Sequence, residues 1–244
     1  MDRLLTGANA GIIMADTYQA MYIESYTLNE GVQAMAPKNK FTKEEMVAAA
    51  LRVVRASGID GLTAKTMAGE LGTSTQPVFT GFGSMDGVKA EVYAAAVGVY
   101  DRYTTEGLKE SIPFLGVGRQ YIRFAREEPE LYRLLFLTRS REFGAMDSMR
   151  HLQTLVRPTL MEVYHITAEE ADFYFRDLWL VVHSLATLIV TGDCPYSDAE
   201  LAGILTGFSL SVFKSIREIP GFAAGTFDRD AAFRALAGET EALA

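Results

Sequence analysis

The side chains with the most readable chemistry lie between residues 74 and 80. Thr75, Gln76 and Thr80 carry two hydroxyls and one amide at positions that would share the outer face of a helix. Such groups hydrogen-bond the edges of DNA bases or the oxygens of phosphates, and the N–H groups at the start of a helix also attract phosphate. The segment therefore predicts a DNA-reading face. An ordinary helical corner would show the same residue types and is the alternative.

The flanking residues predict two short helices that hold this face in place. Thr63 is a suitable cap for the first helix, and Gly72 is placed to end it in a left-handed conformation. Thr73 or Ser74 would then cap the second helix, with Pro77 inside its first turn. Two helices joined by so short a turn form a helix-turn-helix.

A third helix is predicted upstream of these two. Thr42 and Glu45 form a capping box, and apolar residues at helical spacing continue from there to a stop at Gly58. The start of this helix is surrounded by a lysine cluster, Lys38, Lys40 and Lys43. This basic arm can contact the phosphate backbone or a minor groove, although a solvated chain terminus would have the same composition.

The rest of the chain reads as successive helices with no strand pattern, so an all-α fold is expected. Ser84 would cap a long helix that begins directly after the helix-turn-helix. Two further capping boxes open helices at Thr167 and Ser197, which run to about residues 191 and 218.

These last two helices predict a second copy of the chain as a partner. The first is apolar nearly all round between Leu178 and Val190, and the second places a stripe of small residues beside an apolar one. A four-helix bundle with the same two helices of another subunit would cover both surfaces, and a deep core within one chain is the alternative. The predicted dimer interface consists of Leu178, Val182, Leu185, Ile189, Leu201, Gly203, Leu205, Gly207, Phe208, Ser211 and Val212.

Composition limits the class of protein. With 244 residues, of which 49% are hydrophobic, the chain suits one small and one larger domain. The net charge is −8, yet residues 35–92 carry a net +1 and residues 93–244 a net −6, which excludes a protein that coats nucleic acid indiscriminately. The single Cys194 fits a reducing, cytoplasmic compartment, and the apolar run at residues 178–190 is short for a membrane span. No spacing predicts a metal, a cofactor or a catalytic site.

Three stretches resemble the tetracycline-repressor (TetR) family of bacterial transcriptional regulators. The first contains the helix-turn-helix and reads FTKEEMVAAALRVVRASGIDGLTAKTMAGELGTSTQPVFTGFGSMDGVKAEV. The second reads YIRFAREEPELYRLLFL. The third, WLVVHS, is similar to the Trp-His-Gly signature of one regulatory-domain subgroup, with Ser184 where glycine is usual. Together the three stretches span most of residues 38–218.

The resemblance implies an architecture and a function. It implies a three-helix DNA-binding domain over residues 35–84, a helical effector-binding and dimerisation domain over residues 85–235, and a tail at residues 236–244. It also implies a homodimeric repressor that binds pseudo-palindromic double-stranded DNA and is released by a small apolar or aromatic effector. An activator, or a regulator controlled by a protein partner, is the alternative.

The family's functional positions can be carried over residue by residue. The DNA-contacting positions are Lys38, Lys40, Lys43, Thr63, Lys65, Ser74, Thr75, Gln76, Phe79, Thr80 and Lys89. Phe79 could pack on a thymine or serve as a core residue. The DNA face departs from the family at Phe79, Gly81 and Met85, where a tyrosine, a histidine and a lysine are common.

The resemblance also places an effector pocket in the larger domain. The side chains expected to wall it are Tyr121, Phe124, Tyr132, Phe136, Met149, Met161, Tyr164, Trp179 and His183. His183 is the first candidate for a polar anchor, before His151 and Arg123. A histidine bonded only within the core would satisfy the same sequence pattern.

Residues 1–34 match no part of the family and are expected to be an over-long gene model, a leader or a poorly ordered extension. Within them, Thr6 to Ile12 is similar to the phosphate-binding turn of short-chain dehydrogenases, which makes such an enzyme the alternative function. Ile13 replaces the last glycine of that pattern, and no Tyr-x-x-x-Lys pair follows. We therefore expect a protein that is not an enzyme.

Overall fold

The structure is a computed structural model that describes residues 41–138 and 144–237. Those residues form helices and connecting turns without any strand, which confirms the predicted all-α class. From Glu44 onward they belong to one compact unit. The helices are α1 (Lys43–Ser57), α2 (Ala64–Glu70), α3 (Gln76–Phe82), α4 (Met85–Leu108), α5 (Pro113–Glu127), α6 (Pro129–Tyr132), α7 (Ala145–Tyr164), α8 (Ala168–Thr191), α9 (Asp198–Glu218) and α10 (Arg229–Ala237).

Helix α2 begins and ends as its sequence predicts. The Thr63 side chain accepts a hydrogen bond from the Thr66 N–H, and the Thr66 hydroxyl accepts one from the Thr63 N–H. At the other end Gly72 has a φ of 63°, a conformation that glycine adopts without steric cost. The Thr73 N–H then bonds the Ala68 carbonyl at 2.9 Å and closes the helix end.

Helix α3 begins one or two residues later than predicted. The residue before its first turn is Thr75, whose side chain makes no capping hydrogen bond, so neither Thr73 nor Ser74 caps the helix. The Thr73 N–H is already used to close α2, and the turn needs the following two residues to redirect the chain. Pro77 occupies the first turn, where its missing N–H is not required.

Helices α4 and α5 form the closest pair in the fold. Ser84 caps α4 as predicted by accepting a hydrogen bond from the Gly87 N–H at 3.2 Å. Near the turn between the two helices, a Cβ atom added to Gly107 would lie 2.5 Å from the Val117 nitrogen, and one added to Gly116 would lie 2.2 Å from the Gly107 carbonyl oxygen. The backbones therefore touch here, and only glycine permits that approach.

Both predicted capping boxes of the late helices are present, and α8 and α9 end at residues 191 and 218 as predicted. By length and composition each of the two helices is apolar enough to cross a bilayer, which is weak evidence because a core helix passes the same test. The apolar run of residues 178–190 is only part of α8, which continues beyond both of its ends. Helix α8 packs against α5, α7 and α9.

Two segments were not anticipated from the sequence. Arg133–Leu137 forms a π-helical turn directly after α6. Helix α10 reaches Ala237 and so enters the segment predicted as a tail. None of its described residues is buried, and Phe233 and Leu236 are exposed.

Candidate nucleic-acid interface and internal cavity

The outer face of α3 carries the predicted polar set. Ser74, Thr75, Gln76 and Thr80 are exposed, whereas Val78 on the opposite face is fully buried and anchors the helix. The side chain of Phe79 is 46% exposed, so it is not the core residue that the sequence left possible. An amide, hydroxyls and one aromatic ring are therefore presented together on one short helix.

The hydroxyls on this surface differ in their availability. Thr80 donates its hydroxyl hydrogen to the Gln76 carbonyl at 3.0 Å, which leaves the oxygen free to accept. The Thr63 oxygen accepts from the Thr66 N–H at 3.1 Å and lies 3.0 Å from the Thr66 hydroxyl. Thr63 is exposed but is used to build α2, so its first role is to position the helix-turn-helix.

The structure describes only some of the lysines that are predicted to contact DNA. Lys65 on α2 and Lys89 on α4 are exposed, and Lys43 is the first residue of α1. Lys38 and Lys40 lie outside the residues that the structure describes. A Cβ atom at Gly81 would lie 2.6 Å from the Met46 methyl group, so α3 packs closely on α1 at the position where the family often has histidine.

One ion pair joins the helix before the reading element to the larger helical region. The Arg55 guanidinium on α1 donates two hydrogen bonds to the Glu128 carboxylate, each at 2.7 Å. Glu128 is the junction between α5 and α6, and its N–H bonds the Phe124 carbonyl. The Glu128 carboxylate raises the pKa of Arg55. This bidentate geometry fixes both the position and the orientation of the Arg55 side chain relative to the Glu128 carboxylate.

A hydrogen-bonded group surrounds His183. The Tyr121 and Tyr132 hydroxyls lie 3.0 and 3.1 Å from His183 Nδ1, and the Tyr132 hydroxyl also lies 3.0 Å from the Thr187 hydroxyl. Burial lowers the pKa of His183, which favours the neutral ring with Nδ1 as an acceptor. The Trp179 ring stacks on the His183 ring with centroids 4.7 Å apart.

A small cavity lies between α5, α7, α8 and α9. From α5 it is lined by Phe114, Leu115, Val117, Gly118 and Tyr121. From the other helices it is lined by Leu152, Phe175, Leu178, Trp179, Val182 and Leu205. Its volume is about 30 Å³, which is room for about two waters.

The structure brings only two of the predicted effector residues, Tyr121 and Trp179, to this cavity. Phe124, Tyr132 and Phe136 instead pack with Tyr100 in an aromatic cluster. Their rings fill the core because each packs edge-on against another ring.

The remaining predicted effector residues lie elsewhere. Tyr164 packs on Phe213, Met161 is exposed, and Met149 lines an open groove beside Phe173. His183 does not line the cavity but holds Tyr121 from behind. The alternative anchors are also engaged, since His151 lies 3.1 Å from Asp101 and Arg123 bonds Glu127 at 2.8 Å.

The lining residues that the sequence missed are apolar. Of these, Gly118 is the smallest, and a Cβ atom there would lie 3.6 Å from Val182, in ordinary contact, which its sequence position does not reveal. Glycine at that position leaves space where alanine would fit.

The predicted dimer surface needs a correction. Six of its residues are buried inside their own chain: Leu178, Val182, Leu185, Leu201, Leu205 and Val212. They offer little surface to a second subunit in this structure, because α8 packs against α5, α7 and α9, and α9 packs against α5 and α8. Ile189 is half-buried, and Gly203, Gly207, Phe208 and Ser211 are exposed as an interface would require.

Two exposed leucines near these positions were not predicted. Leu210 on α9 is 63% exposed, and Leu180 on α8 is 48% exposed. A signal for Leu210 existed, since it lies three residues after Gly207 and therefore beside the small residues on the helix surface. We name the group Gly203, Gly207, Phe208, Leu210 and Ser211 the α9 outer face.

Comparisons with known proteins found one matching domain and a similar solved structure. Residues 114–205 match the domain described as tetracyclin repressor-like, C-terminal domain. A solved structure of a TetR variant from Acinetobacter baumannii AYE in complex with minocycline is 15% identical, with a TM-score of 0.50. The alignment covers 73% of this chain and 97% of that one. No curated protein sequence matches the chain.

The matched domain and the helical fold support a class of protein, the ligand-responsive transcription regulators. Within residues 114–205 the chain is similar to the C-terminal domain of the TetR family, the family that its sequence resembles.

Proposed function

We propose that the protein is a homodimeric, cytoplasmic transcriptional repressor that binds a pseudo-palindromic DNA site and leaves it when a small, apolar effector enters the larger helical region. One observation carries this proposal: α5 lines the internal cavity with its first half, and Glu128, directly after its last residue, forms an ion pair with Arg55 on α1, the helix that precedes the helix-turn-helix. A single helix therefore contacts both the cavity and the helix next to the reading element.

The small size of the cavity supports a change of shape on effector binding. Ligand pockets for drug-sized molecules have volumes of roughly 300–1,000 Å³. A cavity of about 30 Å³ must therefore widen before such a molecule fits. Widening would displace α5 relative to α8 and α9, and Glu128 would move with it. The effector then favours a second conformation by its differential affinity.

The DNA contacts follow from the exposed face of α3. In the proposed complex α3 lies in the major groove, with Gln76 and Thr80 at base edges and Lys65 and Lys89 near phosphates. A dimer would place two such helices roughly 34–36 Å apart in successive major grooves. Displacement of α5 would change this separation, so that only one helix could dock well.

The second subunit is proposed to contact the α9 outer face together with Leu180. The added Cβ atoms of Gly203 and Gly207 meet nothing within 4 Å, so another helix can approach the backbone there. The TetR structure described above was solved with minocycline, which supports a small molecule as the effector in this fold. An internal cavity also favours a small molecule over a protein partner as the controlling signal.

A double variant tests whether the exposed face of α3 reads DNA bases. Gln76→Ala combined with Thr80→Ala should lower the preference for a selected duplex over an unrelated one, because a good base contact is worth about 1–3 kcal/mol of discrimination. The preference, measured by fluorescence anisotropy at one fixed salt concentration, should fall at least about tenfold.

Thr154→Ala is the matched control. Thr154 is an exposed helical threonine whose hydroxyl bonds the carbonyl four residues earlier, as that of Thr80 does. This control should keep the preference of the natural protein. An unchanged preference in the double variant would remove Gln76 and Thr80 from base recognition.

A further inference from the structure

The walls of the cavity are almost entirely hydrocarbon. Among the lining side chains only Tyr121 and Trp179 carry a polar atom, and none carries a charge. The cavity therefore holds nothing that could neutralise a charged ligand. Burying an unpaired ion in such surroundings is strongly unfavourable.

The two polar side chains differ in one respect. The Tyr121 hydroxyl is engaged, since it lies 3.0 Å from His183 Nδ1. The Trp179 side chain is 3% exposed, and its indole nitrogen has no hydrogen-bond partner among the described residues. Buried N–H groups nearly always have a hydrogen-bond partner, so the Trp179 indole is an unsatisfied donor at a residue that lines the cavity.

The indole is also held in a fixed orientation. Its ring stacks on His183 with an interplanar angle of 7°, and the Tyr121 and Tyr132 hydroxyls hold His183 in turn. A donor with a fixed direction recognises an acceptor at a defined place. Because an indole N–H can only donate, a hydroxyl or carbonyl oxygen suits it and an ammonium group does not.

We propose that the effector is a neutral, mostly apolar molecule with one hydrogen-bond acceptor, such as a carbonyl oxygen, and that this atom takes the Trp179 indole N–H. The inference rests on the proposed function, because it names the chemical class that the effector site selects. Acids and amines are excluded by the lining, and pure hydrocarbons bind less well because they leave the N–H unpaired.

A matched pair of probes isolates the acceptor. Cyclohexanone and methylenecyclohexane have nearly the same shape, and only the first offers an oxygen. Trp179 is the single tryptophan of the chain, so the ¹⁵N-labelled protein has one indole N–H resonance to follow. Cyclohexanone should shift the indole proton downfield and bind about three- to tenfold more tightly than methylenecyclohexane, the range expected for one net hydrogen bond.

Two variants separate the N–H from the shape of the cavity. Trp179→Phe removes the donor and should abolish the preference for the ketone, giving a ratio of affinities near one. Phe175→Leu trims another lining ring without removing a donor. It should weaken both probes to a similar extent and keep their ratio. If Trp179→Phe does not fold, the resonance of the natural protein still decides the matter.

Several results would overturn the proposal. Equal affinity for the two probes with an unmoved indole resonance would show that the N–H is not used. Tighter binding of cyclohexanecarboxylate or cyclohexylammonium than of cyclohexanone would show that the site accepts charge. Binding of neither neutral probe would show that such molecules do not enter. None of these results bears on DNA recognition, which is tested separately by the Gln76 and Thr80 variants.

Discussion

The pKa values of two histidines in the larger helical region are shifted in opposite directions. His183 is surrounded by aromatic rings, and burial lowers its pKa below the ordinary value of 6.5. His151 lies beside Asp101, whose carboxylate raises its pKa. Compared with the unfolded chain, the folded protein therefore favours the neutral ring at His183 and the charged ring at His151.

These shifts predict how stability depends on pH. Below about pH 6.5 the unfolded chain takes up a proton at His183 that the folded protein resists, so the free energy of unfolding falls as the pH falls. His183→Gln, which keeps an acceptor for the two tyrosines, should make the loss between pH 8 and pH 5.5 shallower. The measurement is urea unfolding at a series of pH values.

His151→Gln is the matched comparison and should act in the other direction. The folded protein binds a proton at His151 more tightly than the unfolded chain, and this contribution is present below pH 6.5 and lost as the pH rises through the raised pKa. Its removal should make the loss on acidification steeper. Equal pH profiles for the two variants would contradict both assignments.

Residues whose role is local were predictable, and residues whose role depends on distant neighbours were not. Thr63, Gly72 and Ser84 act within a few positions of themselves, so type and spacing sufficed. Tyr121 and Phe124 are three positions apart on α5, yet one lines the cavity and the other fills the core. That difference is set by α4, α7 and α8, which the local sequence does not reveal.

At the scale of elements, α5 connects the two candidate sites. It lines the cavity through residues 114–121 and reaches α1 through Glu128. Gly58, at the end of α1, supports the same contact. It has a φ of 70°, and a Cβ atom there would lie 3.1 Å from the Glu130 carboxylate. The end of α1 therefore rests on the junction between α5 and α6.

A double-mutant cycle measures this connection. Arg55→Ala and Glu128→Ala should show a coupling of about 1 kcal/mol in the free energy of unfolding, since the pair is bidentate and partly exposed. The control cycle uses the Lys109–Glu106 pair, in which both side chains are well exposed and three positions apart on the chain. That cycle should give no more than about 0.5 kcal/mol. A coupling for Arg55 and Glu128 no larger than that of the control would remove the ion pair as a mechanical link.

The helices themselves were largely predictable, and their partners were not. The capping boxes at Thr167 and Ser197 fixed the starts of α8 and α9, because a cap is a local hydrogen-bonding arrangement. The apolar circumference of α8 was noticed in the sequence, but the sequence did not show which part of it packs within the chain. In the structure α5, α7 and α9 already cover its buried face. Periodicity shows that a face is buried and cannot show against what.

At the scale of the whole molecule, the proposed dimer depends on the α9 outer face. Gly207→Leu adds a side chain that meets nothing within 4 Å of its Cβ in the single chain, so the fold should be unaffected. Within a dimer the same side chain would separate the facing helices. Light scattering should therefore show a monomer for Gly207→Leu and a dimer for the natural protein.

Gly98→Leu is the control for this prediction. Gly98 is an exposed glycine on α4 with equally open surroundings, and it lies outside the proposed interface. Both substitutions replace a helical glycine, which favours the helix by up to about 1 kcal/mol. Only Gly207→Leu should change the mass. A dimer that persists in Gly207→Leu would place the subunit contact elsewhere.

The central claim is that two copies of α3 read a two-fold symmetric DNA site, and footprinting of the DNA that flanks the protein's own gene tests it most directly. At low salt we expect two protected half-sites whose centres lie about one helical turn apart, roughly 34–36 Å. Protection should weaken in the Gln76 and Thr80 double variant and persist in Thr154→Ala. No protection at low salt, or protection of a single unpaired site that the double variant leaves unchanged, would contradict the account.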